Sequence, residues 1–174
     1  MNFNLQPSHL HSPLVQLLPL QENHFEALYA VASDALIWQQ HPNPNRYLKE
    51  IFHTYFLGAI QSNGAFLILD SQTKEVIGST RFYDYNKEKS QVLIGYTFIA
   101  RKYWGTTYNQ EIKKLMSNYA FQYVNTIIFH IGANNIRSQK AIEKLGATKI
   151  DEFLVEYFGE EPKLNYIYQI NKDV

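Results

Sequence analysis

Apolar and polar positions follow two different spacings along the chain, and the spacing separates predicted strands from predicted helices. Apolar runs bounded by turn-forming residues predict strands at residues 14–20, 65–69, 76–85, 92–100, 126–131, 150–157 and 164–170. Apolar residues three and four apart predict helices at residues 22–32, 46–60, 108–123 and 136–145. Pro13 and Pro19 bracket the first strand, which predicts that it lies at an edge of the sheet.

The order of the elements is β-α-α-β-β-β-α-β-α-β-β, and no repeat, low-complexity tract or linker divides it. The uninterrupted apolar run at residues 65–69 indicates a strand that is buried on both faces. We therefore expect one α+β domain over residues 1–174, in which about four helices flank a mixed central sheet of about seven strands in three layers. The polar residues 1–12 are expected to form an N-terminal arm.

Composition narrows the class of protein. The 174 residues are 45 % hydrophobic and 18 % charged, which is enough for one core and unlike a disordered chain. Sixteen basic and sixteen acidic residues give zero net charge, which argues against a dedicated nucleic-acid binder. The absence of cysteine excludes disulfides, a thiolate metal site and a cysteine nucleophile. No apolar run approaches about 18 residues, and no basic residue precedes Arg46, so we expect no membrane span, no signal peptide and a cytoplasmic location.

The charge is concentrated in one stretch. Residues 101–149 contain eight basic and two acidic side chains, a local charge of +6, whereas the residues after 149 hold six acids and two lysines. A basic stretch in a neutral protein indicates a local anion site. The alternative is that these lysines only solvate two helices.

The first candidate motif joins a predicted strand to a predicted helix, over Ala100-Arg-Lys-Tyr-Trp-Gly-Thr-Thr-Tyr-Asn109. Gly105, Thr106 and Thr107 would place free backbone N–H groups at the helix N-terminus, where amide donors and the helix dipole favour phosphate. The alternative is an ordinary turn with a threonine cap. None of the eight glycines forms a G-x-G-x-x-G or Walker A motif, so those nucleotide-binding folds have no support.

The second candidate motif, Ile131-Gly-Ala-Asn-Asn-Ile-Arg-Ser-Gln-Lys140, also joins a strand to a helix. Ser138 falls on the apolar face of that helix, together with Ala141, Ile142 and Leu145. An inward hydroxyl needs a hydrogen-bond partner. Ser138 either bonds Asn135 as part of the helix cap or donates to a ligand beside the strand.

Together, the two motifs resemble the GNAT superfamily of acyl-CoA N-acyltransferases. The resemblance is carried by Ile94-Gly95-Tyr96, Tyr103-Trp104-Gly105, Asn135-Ile136-Arg137-Ser138 and Glu143-Lys144-Leu145-Gly146. The element order over residues 14–170 agrees, and the closer likeness is to the Rim-type branch, which acetylates the N-termini of ribosomal proteins. The resemblance implies a GNAT-like, mostly antiparallel sheet and acetyl-CoA as the acyl donor.

The resemblance also implies which residues bind the donor. The strand end at Phe98, Ile99 and Ala100 should hold the pantetheine arm by backbone hydrogen bonds. The turn should hold the pyrophosphate, through Arg101, Lys102, Trp104, Gly105, Thr106, Thr107 and Tyr108. Asn135 and Ser138 should face the pantetheine arm and the thioester, and Lys140 the nucleotide phosphates.

Several positions depart from the superfamily pattern. Lys102 and Thr107 stand first and last in the phosphate turn, so a threonine side chain adds bulk where the backbone approaches phosphate. Leu93 stands where many Rim-type sequences have an acid, and Ile142 stands where other branches have a tyrosine acid. The sequence therefore offers neither of those two groups for proton transfer.

The chemistry that remains is direct attack by the acceptor amine on the thioester. An α-amine has a pKa of about 7.7–8.0 and is partly neutral near neutral pH. A backbone N–H near Phe98 or Ile99 would polarise the thioester carbonyl. Ser138 would protonate the leaving thiolate.

Candidates for acceptor binding and catalysis lie upstream of the second motif. His41, in the break His41-Pro-Asn-Pro, is either a base at the acceptor rim or a surface histidine. Arg81 either pairs with an acid or clamps an acceptor carboxylate, and His130 either contacts the acceptor or is a core histidine. The full predicted acceptor set is Trp38, Arg81, Tyr83, Tyr96 and His130.

The sequence thus predicts an N-acetyltransferase that moves an acetyl group from acetyl-CoA to a primary amine. The acceptor is a peptide or protein N-terminus, or a small amine such as an amino acid or a polyamine. Two alternatives stay open: a module that binds an acyl-CoA without transferring it, and an interaction protein whose basic helices dock an acidic partner. We expect no metal site, and the protein is expected to be a monomer or a homodimer.

Overall fold

The computed structural model describes residues 3–157, 159 and 161–172. Its strands are β1 Leu10–His11, β2 Val15–Pro19, β3 Ala65–Asp70, β4 Val76–Asn86, β5 Gln91–Ile99, β6 Thr126–Gly132, β7 Thr148–Val155 and β8 Lys163–Asn171. Its α-helices are α1 Phe25–Ala32, α2 Ala35–Trp38, α3 Lys49–Gln61, α4 Tyr108–Ala120 and α5 Ile136–Glu143, and short 3-10 turns cover Glu22–His24 and Arg101–Tyr103. No helix in the described ranges is long and apolar enough to cross a membrane.

The strands form one open sheet in the order β1-β2-β3-β4-β5-β6-β8-β7. Every neighbouring pair is antiparallel except β5 and β6, which are parallel. The chain can join β5 to β6 in parallel because α4 carries it back across the sheet. The predicted mixed α+β fold, mostly antiparallel, is confirmed.

Buried side chains form two large clusters, one on each face of the sheet. One cluster packs α4 and α5 on the sheet through Ile112, Met116 and Ile142. The other packs α1 and α3 on the opposite face through Leu28 and Phe52. Successive residues of β3 join opposite clusters, so this strand is buried on both faces as its apolar run predicts.

Three local features differ from the sequence expectation. The described part of the predicted arm is packed, because Phe3 inserts beside Phe82 and Tyr85 and is 8 % exposed. Residues Leu10–His11 pair with β2, so β2 lies one strand inside the edge of the sheet. The four-residue helix α2 was not predicted; the Asp34 side chain caps it by accepting from the Leu36 N–H at 3.1 Å.

Candidate active site

The sheet opens between its two parallel strands. Residues Gln91–Leu93 of β5 pair with Thr126–Ile128 of β6, and beyond these three pairs the strands separate. A bulge at Tyr96, which has a φ of +53°, shifts the register of β5 against β4 at this level. The Tyr55 hydroxyl donates to the Tyr96 carbonyl at 2.8 Å and holds the bulge from α3. The opening therefore begins where the sequence places an extra residue in β5.

A groove of about 560 Å³ runs along this opening. Its walls are the end of β5, the turn before α4, the first residues of α4 and one face of α5. The groove brings together eleven residues predicted from the sequence, namely Trp38, His41, Phe98, Ile99, Trp104, Gly105, Thr106, Thr107, Asn135, Ser138 and Lys140. The two candidate motifs thus form one site.

The edge of β5 that faces the groove is not paired with a strand. The Ala100 N–H donates to the Ile77 carbonyl of β4 at 2.8 Å. Because successive backbone groups alternate sides, the N–H and carbonyl of Ile99 point away from β4. The Ile99 carbonyl accepts from the Trp104 indole N–H at 3.1 Å, which leaves the Ile99 N–H as the donor facing the groove.

The turn before α4 presents backbone amides at the open end of the groove. Gly105 has a φ of +72°, a left-handed conformation that glycine adopts without strain. The Thr106 hydroxyl donates to the Tyr103 carbonyl and so stabilises the turn. In the described part of the chain, the N–H groups of Thr107, Asn109 and Gln110 have no backbone acceptor, as expected for a helix N-terminus. Such a turn favours an anion.

Four residues predicted to bind the donor, Ala100, Arg101, Lys102 and Tyr108, do not line the groove. Arg101 is paired with Asp34, and Lys102 with Glu75 at 2.6 Å. The Tyr108 hydroxyl donates to Asp70 at 2.7 Å. These carboxylates lie far away in sequence, so the motif alone gives no sign that they neutralise the two cations.

A different cation, Arg137, supports the groove wall. Its guanidinium lies 3.7 Å from the centre of the Trp104 ring and donates to the Ile37 carbonyl at 3.0 Å. Burial lowers the pKa of Arg137. Lys140 and Lys144 complete the basic wall of the groove. The sequence analysis did not predict a role for Arg137. Its position next to Ser138, a predicted donor-binding residue, was a signal that it lies near the groove.

The structure separates the two expectations for Ser138. The Asn135 side-chain oxygen caps α5 by accepting from the backbone N–H of Ser138 at 3.2 Å. The cap therefore uses the amide of Ser138 and not its hydroxyl. The hydroxyl has no hydrogen-bond partner among the described residues, and Ser138 lines the groove.

The groove continues into a smaller cavity of about 100 Å³ deeper in the opening. The two spaces share His41, Thr97, Asn109, Asn135, Ser138 and Ala141. The walls of the smaller cavity include three predicted acceptor residues, Tyr83, Tyr96 and His130. Burial is the largest cause of a raised pKa at both tyrosines and of a lowered pKa at His130. These side chains are therefore neutral near pH 7.

His41 lies at this cavity because Pro42 packs on Gly132, where a Cβ would come within 2.3 Å of the proline ring. The Asn43 N–H lies 2.9 Å from Nδ1 of His41, and the Arg46 guanidinium lies 3.1 Å from Nε2. Burial, followed by the charge of Arg46, lowers the pKa of His41 well below its ordinary value. A neutral imidazole has one lone pair, and two protein donors face it. This geometry opposes the expected role of His41 as a base.

Two further predicted acceptor residues do not line the smaller cavity, although Trp38 lines the groove. Arg81 is 4 % exposed, stacks 3.9 Å from the centre of the Tyr96 ring and donates to the Gly58 carbonyl at 3.2 Å. Trp38 is 2 % exposed, and its indole N–H donates to the Ala32 carbonyl at 2.7 Å. Arg81 forms no ion pair with Asp84, which is the acidic residue of the same strand, β4.

The sequence analysis missed Lys113, which lines the smaller cavity from α4. Lys113 is 4 % exposed, and its amine donates to the Thr97 hydroxyl. Burial lowers its pKa to about 7. Lys113 lies three residues before Met116 and seven before Ala120, so it falls on the apolar face of α4. A lysine on the apolar face of a helix was the sequence signal that could have identified Lys113.

The sheet is therefore split between its two parallel strands, with free helix amides at the mouth of the split. The chain belongs to the acetyltransferase (GNAT) domain family, whose sequence model matches residues 15–148. The family indicates acyltransferase activity. No curated protein matches the chain.

Solved structures agree with this assignment at the level of the fold. The acetyltransferase (GNAT family) of Bacillus anthracis is 19 % identical, with 93 % of this chain and 97 % of that chain covered and a TM-score of 0.74. Two proteins of Vibrio cholerae are also similar. One, provisionally named a ribosomal-protein-serine acetyltransferase, is 16 % identical, with coverages of 94 % and 97 % and a TM-score of 0.73. The other, a spermidine N-acetyltransferase in complex with CoA and spermine, is 15 % identical, with coverages of 92 % and 96 % and a TM-score of 0.69.

Proposed function

We propose that this protein transfers an acetyl group from acetyl-CoA to a primary amine by direct attack of the amine on the thioester. One observation carries the proposal. A single groove runs from the amides before α4, along the unpaired edge of β5, into a smaller cavity with aromatic walls. This path suits a long donor that is anionic at one end and carries its reactive group at the other.

The residues that line the groove fit acyl-CoA. The amides of Thr107, Asn109 and Gln110 would bind the pyrophosphate, and Lys140 would add positive charge. The Ile99 N–H would bind the donor along β5. Asn135 and Ser138 lie where the groove meets the smaller cavity, so the Ser138 hydroxyl would donate a hydrogen bond to the thioester sulfur. Acyl-CoA would supply the activated acyl group, and the protein residues would hold that group in place for attack.

The smaller cavity favours an acceptor with one amine over a polyamine. Its described lining contains no carboxylate that would bind an extra ammonium group. The charge of Arg81 lies behind the Tyr96 ring and opposes a polycation. An α-amine is in addition partly neutral near pH 7.5, so direct attack needs no strong base. We therefore favour the N-terminus of a peptide or protein, in line with the Rim-type branch, over an acceptor such as spermidine.

The first test is a thermal shift with acetyl-CoA, with free coenzyme A and adenosine as controls. Saturation at about 100 times Kd adds ~2.7 kcal/mol, which raises Tm by about 5–10 °C in a domain of this size. We expect that shift with acetyl-CoA and coenzyme A and none with adenosine. The absence of a shift at millimolar acetyl-CoA would contradict the proposal and favour a protein that docks an acidic partner.

The second test identifies the acceptor class. Release of free thiol from acetyl-CoA would be measured with peptides that differ in their first residue, with single amino acids and with spermidine. We expect turnover with at least one peptide and less with spermidine. Binding of acetyl-CoA without turnover on any amine would favour the alternative of a non-catalytic module.

A further inference from the structure

The Lys113 amine occupies an unusual position for a lysine. It is buried beneath the opening of the sheet, where it donates to the Thr97 hydroxyl and lies 5.9 Å from the centre of the Phe129 ring. No ion pair of Lys113 occurs in the described part of the chain. Burial of an amine without a counter-ion is costly and is found at sites where the amine has a chemical task.

The position of Lys113 relates it to the reaction that we propose above, on which this inference rests. Lys113 lines the smaller cavity, and its partner Thr97 lines both the cavity and the groove. Ser138 and Asn135 lie at the same junction. A donor that enters along β5 would therefore bring its thioester to the wall formed by Thr97, Ser138 and Lys113.

Lys113 is a proton source in this wall that titrates near neutral pH. The other titratable residues of the described cavity lining are His41, Tyr83, Tyr96, His130 and Tyr157. Both histidines have a lowered pKa and are therefore neutral near pH 7, while Tyr83 and Tyr96 hold their protons more tightly than usual. The Ser138 hydroxyl can donate a hydrogen bond, but it does not ionise in this range.

We propose that Lys113 is a catalytic residue that protonates the departing sulfur of coenzyme A and takes up the proton released by the acceptor amine. The acceptor nitrogen forms its bond to the acyl carbon as the carbon–sulfur bond breaks. The electron pair of the carbon–sulfur bond goes to the sulfur. The Lys113 ammonium gives its proton to the sulfur. The neutral Lys113 amine then accepts the proton that the acceptor nitrogen loses. Nitrogen and sulfur are bonded to the same carbon during the exchange, so one amine can serve both.

The energetics of this exchange are favourable at neutral pH. A cysteine thiol has a pKa of about 8.5, an unactivated alkyl thiol is a weaker acid still, and burial places the pKa of Lys113 at about 7. Proton transfer from the ammonium to the thiolate is therefore downhill. Both forms of Lys113 are present near pH 7, which is the condition for a group that acts as acid and base in turn.

The test compares Lys113→Met with Lys114→Met, its exposed neighbour on α4, as the matched control. Methionine keeps the length of the side chain and removes the buried charge, so the variant is expected to fold. With the acceptor found in the screen, Lys113→Met should lower kcat on the order of 100-fold, with little change in KM for acetyl-CoA. Its kcat should also lose the ionisation near pH 7. Lys114→Met should behave as the unmodified protein does.

A second readout needs no acceptor and no turnover. The ultraviolet absorbance of the thiolate reports ionisation of coenzyme A bound to the protein. Lys113 itself is largely neutral at the pH where a thiol ionises, whereas Lys113→Arg carries a permanent charge at the same place. If this side chain reaches the sulfur, bound thiol should ionise about 1 pH unit lower in Lys113→Arg than in the unmodified protein and in Lys113→Met.

Each outcome decides the matter. A thiol pKa that is lower in Lys113→Arg than in Lys113→Met supports the proposal even where no acceptor has been found. Equal thiol ionisation in Lys113→Arg and Lys113→Met, or a kcat of Lys113→Met within about twofold of the unmodified value, overturns it and leaves acyl transfer standing. Failure of the unmodified protein to bind coenzyme A overturns both proposals.

Discussion

The two ends of the groove differ in how they are built. The open end consists of backbone amides around Gly105 and exposed side chains such as Lys140. The inner end is the smaller cavity; it is lined by residues of five strands and helices, β4, β5, β6, α4 and α5, and it holds the buried amine of Lys113. Charge at the open end is hydrated and screened by salt, whereas the buried charge at the inner end is desolvated and strongly dependent on pH. The open end is therefore suited to binding and the inner end to chemistry.

The largest expected effect is on the free energy of unfolding and comes from Lys113 at the inner end. The pKa of Lys113 is lower in the folded protein, about 7, than in the unfolded chain, where a lysine titrates near 10.4. Between these values the unfolded chain binds more protons, so the free energy of unfolding should rise with pH. The contribution of Lys113 between pH 7 and pH 10 is ~3 kcal/mol.

Urea unfolding at pH 7 and at higher pH measures this contribution. Lys113→Met should be more stable than the unmodified protein at pH 7, and the difference should shrink as pH rises towards 10. Lys114→Met should show neither effect. A pH-independent difference would mean that Lys113 is charged in the folded protein and that its amine at the inner end is not desolvated.

A smaller effect is expected where the two ends meet. Ser138→Ala removes a hydroxyl with no protein partner among the described residues, so folding should change little. Loss of one hydrogen bond to the sulfur should lower kcat about tenfold, or ~1.4 kcal/mol, with nearly unchanged affinity for acetyl-CoA. An unchanged kcat, measured by thiol release, would remove Ser138 from the reaction and leave Asn135 with its capping role.

The smallest effect is expected at the open end. Gly105→Val should strain the turn and weaken acetyl-CoA binding about fivefold, with kcat nearly unchanged. Gly146→Val is the matched control, since Gly146 has a φ of +88° and lies at the far end of α5, outside the groove lining. Both variants should lose about 1–2 kcal/mol of unfolding free energy. Calorimetric titration that shows equal affinity loss in both would place the donor elsewhere.

Much of the fold could be predicted because it depends on local patterns. Strand 126–131 and helix 136–145 were predicted to within two residues of Thr126–Gly132 and Ile136–Glu143. The strand Leu10–His11 and the helix Ala35–Trp38 are too short for a periodic signal. Phe3 was assigned to an arm because one apolar residue in a polar segment gives no sign of what it packs against.

The residues of the candidate site could likewise be predicted where they lie in local motifs and not where their role depends on long-range contacts. Gly105, Asn135 and Ser138 lie in local motifs, and all three line the groove as the motifs suggest. The pairing of Arg101 with Asp34 depends on a contact across 67 residues of sequence. Lys113 could be noticed only by asking what a lysine does on an apolar helix face, because its chemistry depends on the strand opening above it.

The opening between β5 and β6 also affects how the molecule unfolds. Among the described residues, three backbone residue pairs join β1–β5 to β6, β8 and β7 within the sheet, and side chains of α4 and α5 pack across the same seam. A bound ligand that lies along β5 would connect the two halves of the sheet. Hydrogen exchange of the backbone amides between β5 and β6 would then slow when the ligand is bound. The contacts between β5 and β6 must be weak enough to admit the ligand, yet strong enough to keep the protein one cooperative folding unit.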